Sequence, residues 1–96
     1  MRTIKLMADY QCFPLWEASL GVVGNIDPKG LQISPSLRQG LMTWAAKFDA
    51  TLNMNDPASS CFESEQAASE FRQEGEVLAQ RLQEELGAAY VVTKKL

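Results

Sequence analysis

A chain of 96 residues is long enough for one domain with one core and too short for two. Hydrophobic residues make up 46% of the chain and charged residues 22%, which is the composition of a folded globular protein rather than of a disordered one. The chain has no histidine, and its two cysteines, Cys12 and Cys61, lie far apart. This excludes CxxC redox motifs, Cys/His zinc sites and Cys/His nucleophile pairs.

The net charge of −3 is unevenly distributed along the chain. Residues 1–48 carry five basic and three acidic side chains, whereas residues 49–86 carry nine acidic and two basic ones, a balance of −7. A protein that binds nucleic acid directly needs a basic face for the phosphates. The asymmetry therefore argues against a nucleic-acid binder and favours a basic protein partner.

No apolar stretch approaches the roughly 20 residues of a membrane span. The first residues include Arg2 and Lys5 and lack the apolar run of an export signal. The two cysteines could form a disulfide in a secreted protein, but these features favour a reduced compartment. We therefore expect a cytoplasmic protein with two free thiols and no membrane partner.

The N-terminal third predicts three strands. Residues 3–10 alternate between apolar and polar, which is typical of a strand with one face on a core. The strand must end before Pro14, because proline cannot donate to a ladder. Residues 15–18 and 22–26 are short apolar stretches on either side of Ser-Leu-Gly, a spacing typical of a hairpin. The run Asn-Ile-Asp-Pro-Lys-Gly over residues 25–30 predicts a turn.

Two amphipathic helices follow. The first is predicted to begin with Ser34 as its N-cap and proline at its first position, and to end near Asn53. The second is predicted to begin after Ser64 and to stop at Gly87. Their apolar stripes are Leu37, Leu41, Trp44, Ala45, Phe48 and Leu52 in the first helix, and Phe71, Gly75, Leu78, Ala79, Leu82 and Leu86 in the second.

Residues 89–94 alternate again and predict a last strand, which completes the order β-β-β-α-α-β. Two helices with one apolar face each can cover one side of a small sheet. We therefore predict an α+β fold in which residues 1–96 form a single domain. In this two-layer sandwich, two antiparallel helices pack on one face of a small, mainly antiparallel sheet. The pattern leaves the strand order open.

Residues 9–16, DYQCFPLW, concentrate an acid, a phenol, a thiol and an indole. Cys12 has neither a histidine nor an adjacent lysine to stabilise a thiolate, and nothing beside Tyr10 and Asp9 would activate the phenol. We interpret the segment as the corner between two strands, held by its aromatic residues and Pro14. A small metal- or thiol-dependent enzyme centred on Asp9, Tyr10 and Cys12 is the alternative.

Four aspartates fall at predicted element ends or in turns, namely Asp9, Asp27, Asp49 and Asp56. Carboxylates in such places can bind hard metal ions, but the alternating acid spacing of a calcium loop is absent from the sequence. Capping and turn formation explain aspartate at these positions without a ligand. We expect no metal site, no cofactor and no catalytic residue.

Glutamates cluster in and before the second helix, at Glu63, Glu65, Glu70, Glu74, Glu76, Glu84 and Glu85. Such a pattern most commonly forms a solvated helix face. Arg72 and Arg81 can pair with only two of these residues, so an excess of negative charge is left. That excess would accelerate the encounter with a cationic protein.

Five strings carry a resemblance over nearly the whole chain: LMADYQCFPLW, GNIDP, LRQGLMTWAAKFDATLN, DPASSCF and LAQRLQEELG. They look like a widespread set of small bacterial proteins of about this length. Small acidic single-domain proteins of this kind resemble the immunity proteins of contact-dependent growth inhibition and related polymorphic toxin systems. The resemblance implies a protein without enzymatic activity that binds and neutralises the toxic C-terminal domain of a cognate effector, frequently a nuclease.

If the resemblance holds, an acidic face would cover the basic groove with which a nuclease attracts phosphate. The expected contact residues are Asp49, Asp56, Glu63, Glu70, Glu74 and Glu76, with Tyr10 and Trp16 as aromatic anchors. A structural homodimer whose exposed sheet edge pairs with its twin is a further alternative.

Overall fold

The computed structural model describes residues 2–19, 21, 24–51 and 64–95. Over that part of the chain the elements follow the predicted order, with a turn of 3₁₀ helix at Pro28–Gly30 before the first α-helix. The elements are β1 (Arg2–Leu6), β2 (Leu15–Glu17), β3 (Gly24–Ile26), α1 (Pro35–Asp49), α2 (Glu65–Leu86) and β4 (Tyr90–Lys94). The fold is α+β, as predicted.

The four strands form one mixed sheet with the order β3-β2-β1-β4. The pairs β1–β2 and β2–β3 are antiparallel, as expected of strands that follow one another directly in the chain. β4 returns after both helices and pairs with β1 in parallel, so that Ile4 lies between Glu17 on β2 and Val92 on β4. The chain therefore closes its sheet by placing its last strand beside its first.

β1 is shorter than the predicted strand over residues 3–10. Alternation continues beyond Leu6, but a strand also needs a ladder partner, and β2 begins only at Leu15, which pairs with Leu6. The intervening residues form the connection, in which Gln11 takes a φ of 59°. α1 likewise ends at Asp49 rather than near Asn53, and Leu52 of its predicted stripe lies outside the described residues.

The caps that define the helices are those predicted. Ser34 Oγ accepts a hydrogen bond from the amide of Leu37, and Ser64 Oγ accepts one from the amide of Ala67. Gly87 ends α2 with a φ of 81°, a conformation that glycine adopts without strain. In the described part of the chain, neither α-helix is both long and apolar enough to cross a membrane.

Both helices pack on the same face of the sheet and run antiparallel to each other. Contacts pair the start of α1 with the end of α2 and the reverse: Ser34 with Glu85, Trp44 with Phe71, and Lys47 with Glu74. The core contains most of the predicted stripes together with strand and loop residues, and Phe48 and Leu86 of those stripes pack against it partly buried. Its buried members are Ile4, Leu6, Leu15, Leu31, Ile33, Leu37, Leu41, Trp44, Phe71, Leu78, Ala79 and Leu82.

Trp44 lies at the centre of this core with 1% of its surface exposed. Its Nε1 donates a hydrogen bond of 2.9 Å to the carbonyl of Phe71, so the indole has both its apolar surface and its polar atom satisfied. Its ring stacks on that of Phe71 with centroids 4.4 Å apart and planes within 6°. Trp44 therefore fixes the position of α2 relative to α1.

Two carboxylates, those of Glu85 and Glu17, each accept two hydrogen bonds within the fold. Glu85 accepts from the amide and the hydroxyl of Ser34 at 2.5 and 2.8 Å, and the amide above all lowers the pKa of Glu85. Glu17, on β2, accepts from Ser19 Oγ at 2.5 Å and from Arg2 Nε at 2.7 Å. The hydroxyl of Ser19, followed by the guanidinium of Arg2, lowers the pKa of Glu17.

Replacement of Trp44 by alanine should lower the free energy of unfolding by about 3–5 kcal/mol, because it leaves a cavity in the core and removes the bond to Phe71. Urea denaturation followed by circular dichroism measures the loss. The exposed Thr43→Ala variant, one residue away on the same helix, should stay within about 0.5 kcal/mol of the wild type. Equal stability of the two variants would contradict the central role of Trp44.

In the Glu17→Gln variant, the free energy of unfolding should depend less on pH in the acid range than it does in the wild type. Because the folded-state pKa of Glu17 is lowered, its stabilising contribution is complete above its ordinary value of 4.5 and disappears as pH falls through the lowered pKa. Between about pH 6 and pH 3 the wild type should therefore lose more unfolding free energy than Glu17→Gln, measured by urea denaturation at each pH. Ser19→Ala removes the largest cause of the lowered pKa of Glu17, so its loss of unfolding free energy should lie between those of the wild type and Glu17→Gln. Parallel profiles for all three proteins would refute the assignment.

Candidate protein-binding site

The exposed side of α2 presents an apolar residue among polar ones. Gln73, Val77, Gln80 and Glu84 recur at intervals of three and four and are all exposed, on the side opposite the buried stripe. We call these four residues the α2 crest. Val77 is exposed over 59% of its surface, and it is one of two exposed large hydrophobic residues in the described part of the chain. The other is Met42, at 41%, on α1.

A groove separates the α2 crest from α1. It has a volume of about 540 Å³ and is lined by Gly40, Thr43, Glu70, Gln73, Glu74, Val77 and Leu78. Gly40 permits the close approach of the helices beneath it, because a Cβ atom there would lie 3.2 Å from Cδ2 of Leu78. We call it the α1–α2 groove. Its floor is apolar, and glutamates stand on its α2 side.

A second groove lies on the other side of the α2 crest, between α2 and β4. It has a volume of about 800 Å³. Glu76, Val77 and Glu84 line it on the α2 side, and Val92 and Lys94 line it on the β4 side. We call it the α2–β4 groove. Val77 therefore borders both grooves and has glutamates on either side.

The glutamates of α2 differ in how far neighbouring cations neutralise them. The helix carries six glutamates and two arginines. Lys47 pairs with Glu74 at 2.8 Å, and Arg81 reaches Glu85 at 3.7 Å. Within the described ranges, no ion pair involves Glu70, Glu76 or Glu84. These three charges remain unneutralised around Val77.

The structure brings some of the expected contact residues together. Glu70 and Glu74 line the α1–α2 groove, and Glu76 lines the α2–β4 groove. Asp49 lies at the end of α1 and lines neither groove; its Oδ1 accepts a hydrogen bond of 2.9 Å from the amide of Gln11, in the connection between β1 and β2. The other two expected acids, Asp56 and Glu63, lie outside the described residues.

The two expected aromatic anchors are half-buried and lie apart. The Tyr10 ring stacks on Phe48 with centroids 4.5 Å apart, and its hydroxyl is 3.0 Å from Thr51 Oγ1. Trp16 donates from Nε1 to the carbonyl of Met7 at 2.9 Å. Since Leu15 faces the core, the alternation of β2 places Trp16 on the sheet face away from the helices.

Sequence reasoning missed Val77 as a candidate contact residue. A signal was present, because Val77 does not belong to the apolar stripe that contains Phe71, Leu78 and Leu82. An apolar residue off the stripe of an amphipathic helix is expected to point to solvent. That signal alone could not reveal the grooves, which depend on α1 and β4.

Asp9 and Tyr10 of the alternative enzyme site use their polar side-chain groups within the fold. Asp9 Oδ1 accepts from the amide of Tyr10 at 2.8 Å, so this carboxylate contacts the backbone of Tyr10 rather than its phenol. Cys12 is a free, half-buried thiol, and Asp27 caps the 3₁₀ turn by accepting from the amide of Lys29 at 2.9 Å. Among the residues that the structure describes, no three cysteine, aspartate or glutamate side chains are grouped to hold a metal ion.

Comparison with known proteins identifies a family for this chain. The family described as Serratia CdiI immunity protein-like matches residues 2–94, which include every strand and helix named above. A comparison with curated proteins finds no match. The match agrees with the resemblance carried by the five sequence strings. Because it covers nearly the whole chain, this protein belongs to the Serratia CdiI immunity protein-like family.

Proposed function

We propose that this protein binds and neutralises the toxic C-terminal domain of a cognate contact-dependent growth inhibition toxin, and that this domain is a nuclease. Membership of an immunity-protein-like family supports an immunity function. In the proposal the protein acts in the cytoplasm, where a delivered nuclease would meet its substrate. It works by forming a heterodimer and catalyses no reaction.

The charges on α2 support a basic partner. A nuclease concentrates lysine and arginine where it holds phosphates, and an acidic surface that docks there blocks access to nucleic acid. Glu70, Glu76 and Glu84 would attract that region from a distance, because no described cation lies close enough to pair with them. Such charges act mainly on the rate of association.

The observation that carries the proposal is the exposure of Val77 between unneutralised glutamates. Protein interfaces combine an apolar centre, from which water is excluded, with a polar rim. Val77 provides such a centre, and the apolar floor of the α1–α2 groove extends it toward Gly40 and Leu78. In this arrangement the apolar centre at Val77 would provide affinity, and the surrounding glutamates would provide rapid association.

The remaining expected contacts take different places in this proposal. Asp49 and Tyr10 lie at the C-terminal end of α1 and would extend the contact beyond the α1–α2 groove. Asp56 and Glu63 stay expected contacts on the basis of their charge. Trp16 lies on the opposite face of the sheet, so it would contact only a partner that reaches around the molecule.

Neutralising two of the acids should slow association with the cognate toxin domain. The variant Glu70→Gln/Glu76→Gln leaves Glu74 and its ion pair with Lys47 in place and changes the net charge from −3 to −1. We expect the association rate constant to fall about three- to tenfold in low salt, with a smaller fall at high salt. Stopped-flow or biolayer interferometry at several salt concentrations measures it.

A matched control has the same net charge but alters other surfaces. Ala18→Lys/Gln32→Lys also raises the net charge to −1, and both residues are exposed and lie outside α2. This variant should bind at close to the wild-type rate. If the two variants slow association equally, only net charge matters, and the proposed site on α2 is wrong.

Truncation of Val77 should weaken the complex without affecting the fold. We expect Val77→Ala to raise the Kd for the toxin domain about tenfold, and its unfolding free energy to stay within about 0.5 kcal/mol of the wild type. The control is Met42→Ala, which truncates the other exposed hydrophobic residue, on the far side of α1. Isothermal titration calorimetry compares the two. A loss of affinity at Met42 and none at Val77 would move the interface to the other side of the helical layer.

A further inference from the structure

The strand order makes β4 an edge of the sheet, and its hydrogen bonds to β1 show which backbone groups point outward. Arg2 donates its amide to the carbonyl of Ala89 at 3.1 Å, and Lys95 donates its amide to the carbonyl of Leu6 at 2.9 Å. In this parallel ladder the alternate residues 89, 91, 93 and 95 bond to β1. The backbone groups of Tyr90, Val92 and Lys94 therefore point away from the sheet.

The first half of this outward edge is already occupied by a side chain. Gln83 of α2 donates from Nε2 to the carbonyl of Tyr90 at 2.8 Å, and its Oε1 accepts from the amide of Val92 at 2.9 Å. A primary amide that bonds one carbonyl and one amide of an edge strand provides the same donor and acceptor as a neighbouring strand. Gln83 thus closes the edge as far as the amide of Val92.

The second half of the edge is open. The carbonyl of Val92 and the amide of Lys94 have no hydrogen-bond partner within the described ranges. Both residues line the α2–β4 groove, whose opposite wall carries Glu76, Val77 and Glu84. An edge strand with unpaired backbone groups is a template for a further strand. Here the unpaired part of the edge begins at the carbonyl of Val92, directly after the amide that bonds to Gln83.

We infer that an extended segment of the toxin domain lies in the α2–β4 groove and pairs its backbone with the carbonyl of Val92 and the amide of Lys94. This inference rests on the proposed function and gives its recognition mode. Strand addition obtains affinity from backbone bonds and selectivity from the side chains that alternate along the added strand. Val77 and Val92 would contact apolar side chains of the segment, and Glu76 and Glu84 would contact cationic ones.

The groove has room for a short segment. Its volume of about 800 Å³ lies within the range of sites that hold drug-sized ligands. Gln83 prevents pairing along the first half of β4, so the ladder would be short and its register fixed. Val77 lines both the α2–β4 groove and the α1–α2 groove. A single partner that covers the α2 crest would therefore also reach the edge of β4.

Lys94→Pro tests the inference at a single atom. Proline removes the outward amide of Lys94 but leaves the ladder to β1 intact, because residues 93 and 95 provide those bonds. The control is Lys94→Ala, which removes the charged side chain and keeps the amide. We expect Lys94→Pro to raise the Kd for the cognate toxin domain at least about tenfold, and Lys94→Ala to leave it within about threefold. Thermal melts of both free variants show whether they fold alike.

A second measurement covers the case in which Lys94→Pro does not fold. In the wild-type protein, hydrogen exchange of the Lys94 amide should slow at least about tenfold on binding of the toxin domain, while the Val92 amide, already bonded to Gln83, changes less. Unchanged exchange at Lys94 would overturn the inference.

The outcomes separate the inference from the proposed function. If Lys94→Pro binds as tightly as Lys94→Ala while Val77→Ala binds more weakly, strand addition is wrong and the proposed site on α2 stands. If the wild type does not bind the toxin domain, the proposed function fails and the inference with it. If light scattering shows the free wild type as a dimer that Lys94→Pro dissociates, the edge belongs to a second copy of the chain, and the inference is overturned.

Discussion

The contact of Trp44 with Phe71 is the constraint on which the rest of the structure depends. It combines ring stacking at 4.4 Å with a hydrogen bond from the indole to a helix carbonyl, and it is buried. Because both residues lie on helices, the contact fixes the position of α2 relative to α1, and Leu78 beside Gly40 completes the alignment. The grooves on both sides of the α2 crest follow from that placement.

The same placement determines which residues of the acidic helix α2 face a partner. α2 places Phe71, Leu78 and Leu82 against the core, so its charged residues must occupy the remaining surface. Lys47 pairs with Glu74 and Arg81 with Glu85, on the sides that face α1 and its N-terminus, whereas Glu70, Glu76 and Glu84 have no ion pair within the described residues. A partner approaching α2 therefore meets an apolar centre with negative charge on both sides.

The return of the last strand beside the first creates an edge that needs protection. Pairing β4 with β1 leaves three outward-facing residues on β4, and Gln83 satisfies the groups of the first half. Natural proteins commonly blunt exposed edges, because unpaired backbone groups invite other chains. Here the protection is partial, and its boundary lies within the α2–β4 groove, which is the physical basis for a short strand docking there.

The sequence by itself determined the order of the elements, the helix caps and most of the buried stripes, because alternation, helical spacing and residues such as Ser34 and Gly87 act over a few positions. It also determined the excess of acid in α2. The tertiary structure alone decided the strand order, the end of β1 at the point where its ladder partner ends, and the position of Trp16 on the sheet face away from the helices. It likewise decided that Val77 borders two grooves and that Gln83 reaches β4. These features depend on contacts between residues distant in sequence, which local patterns do not encode.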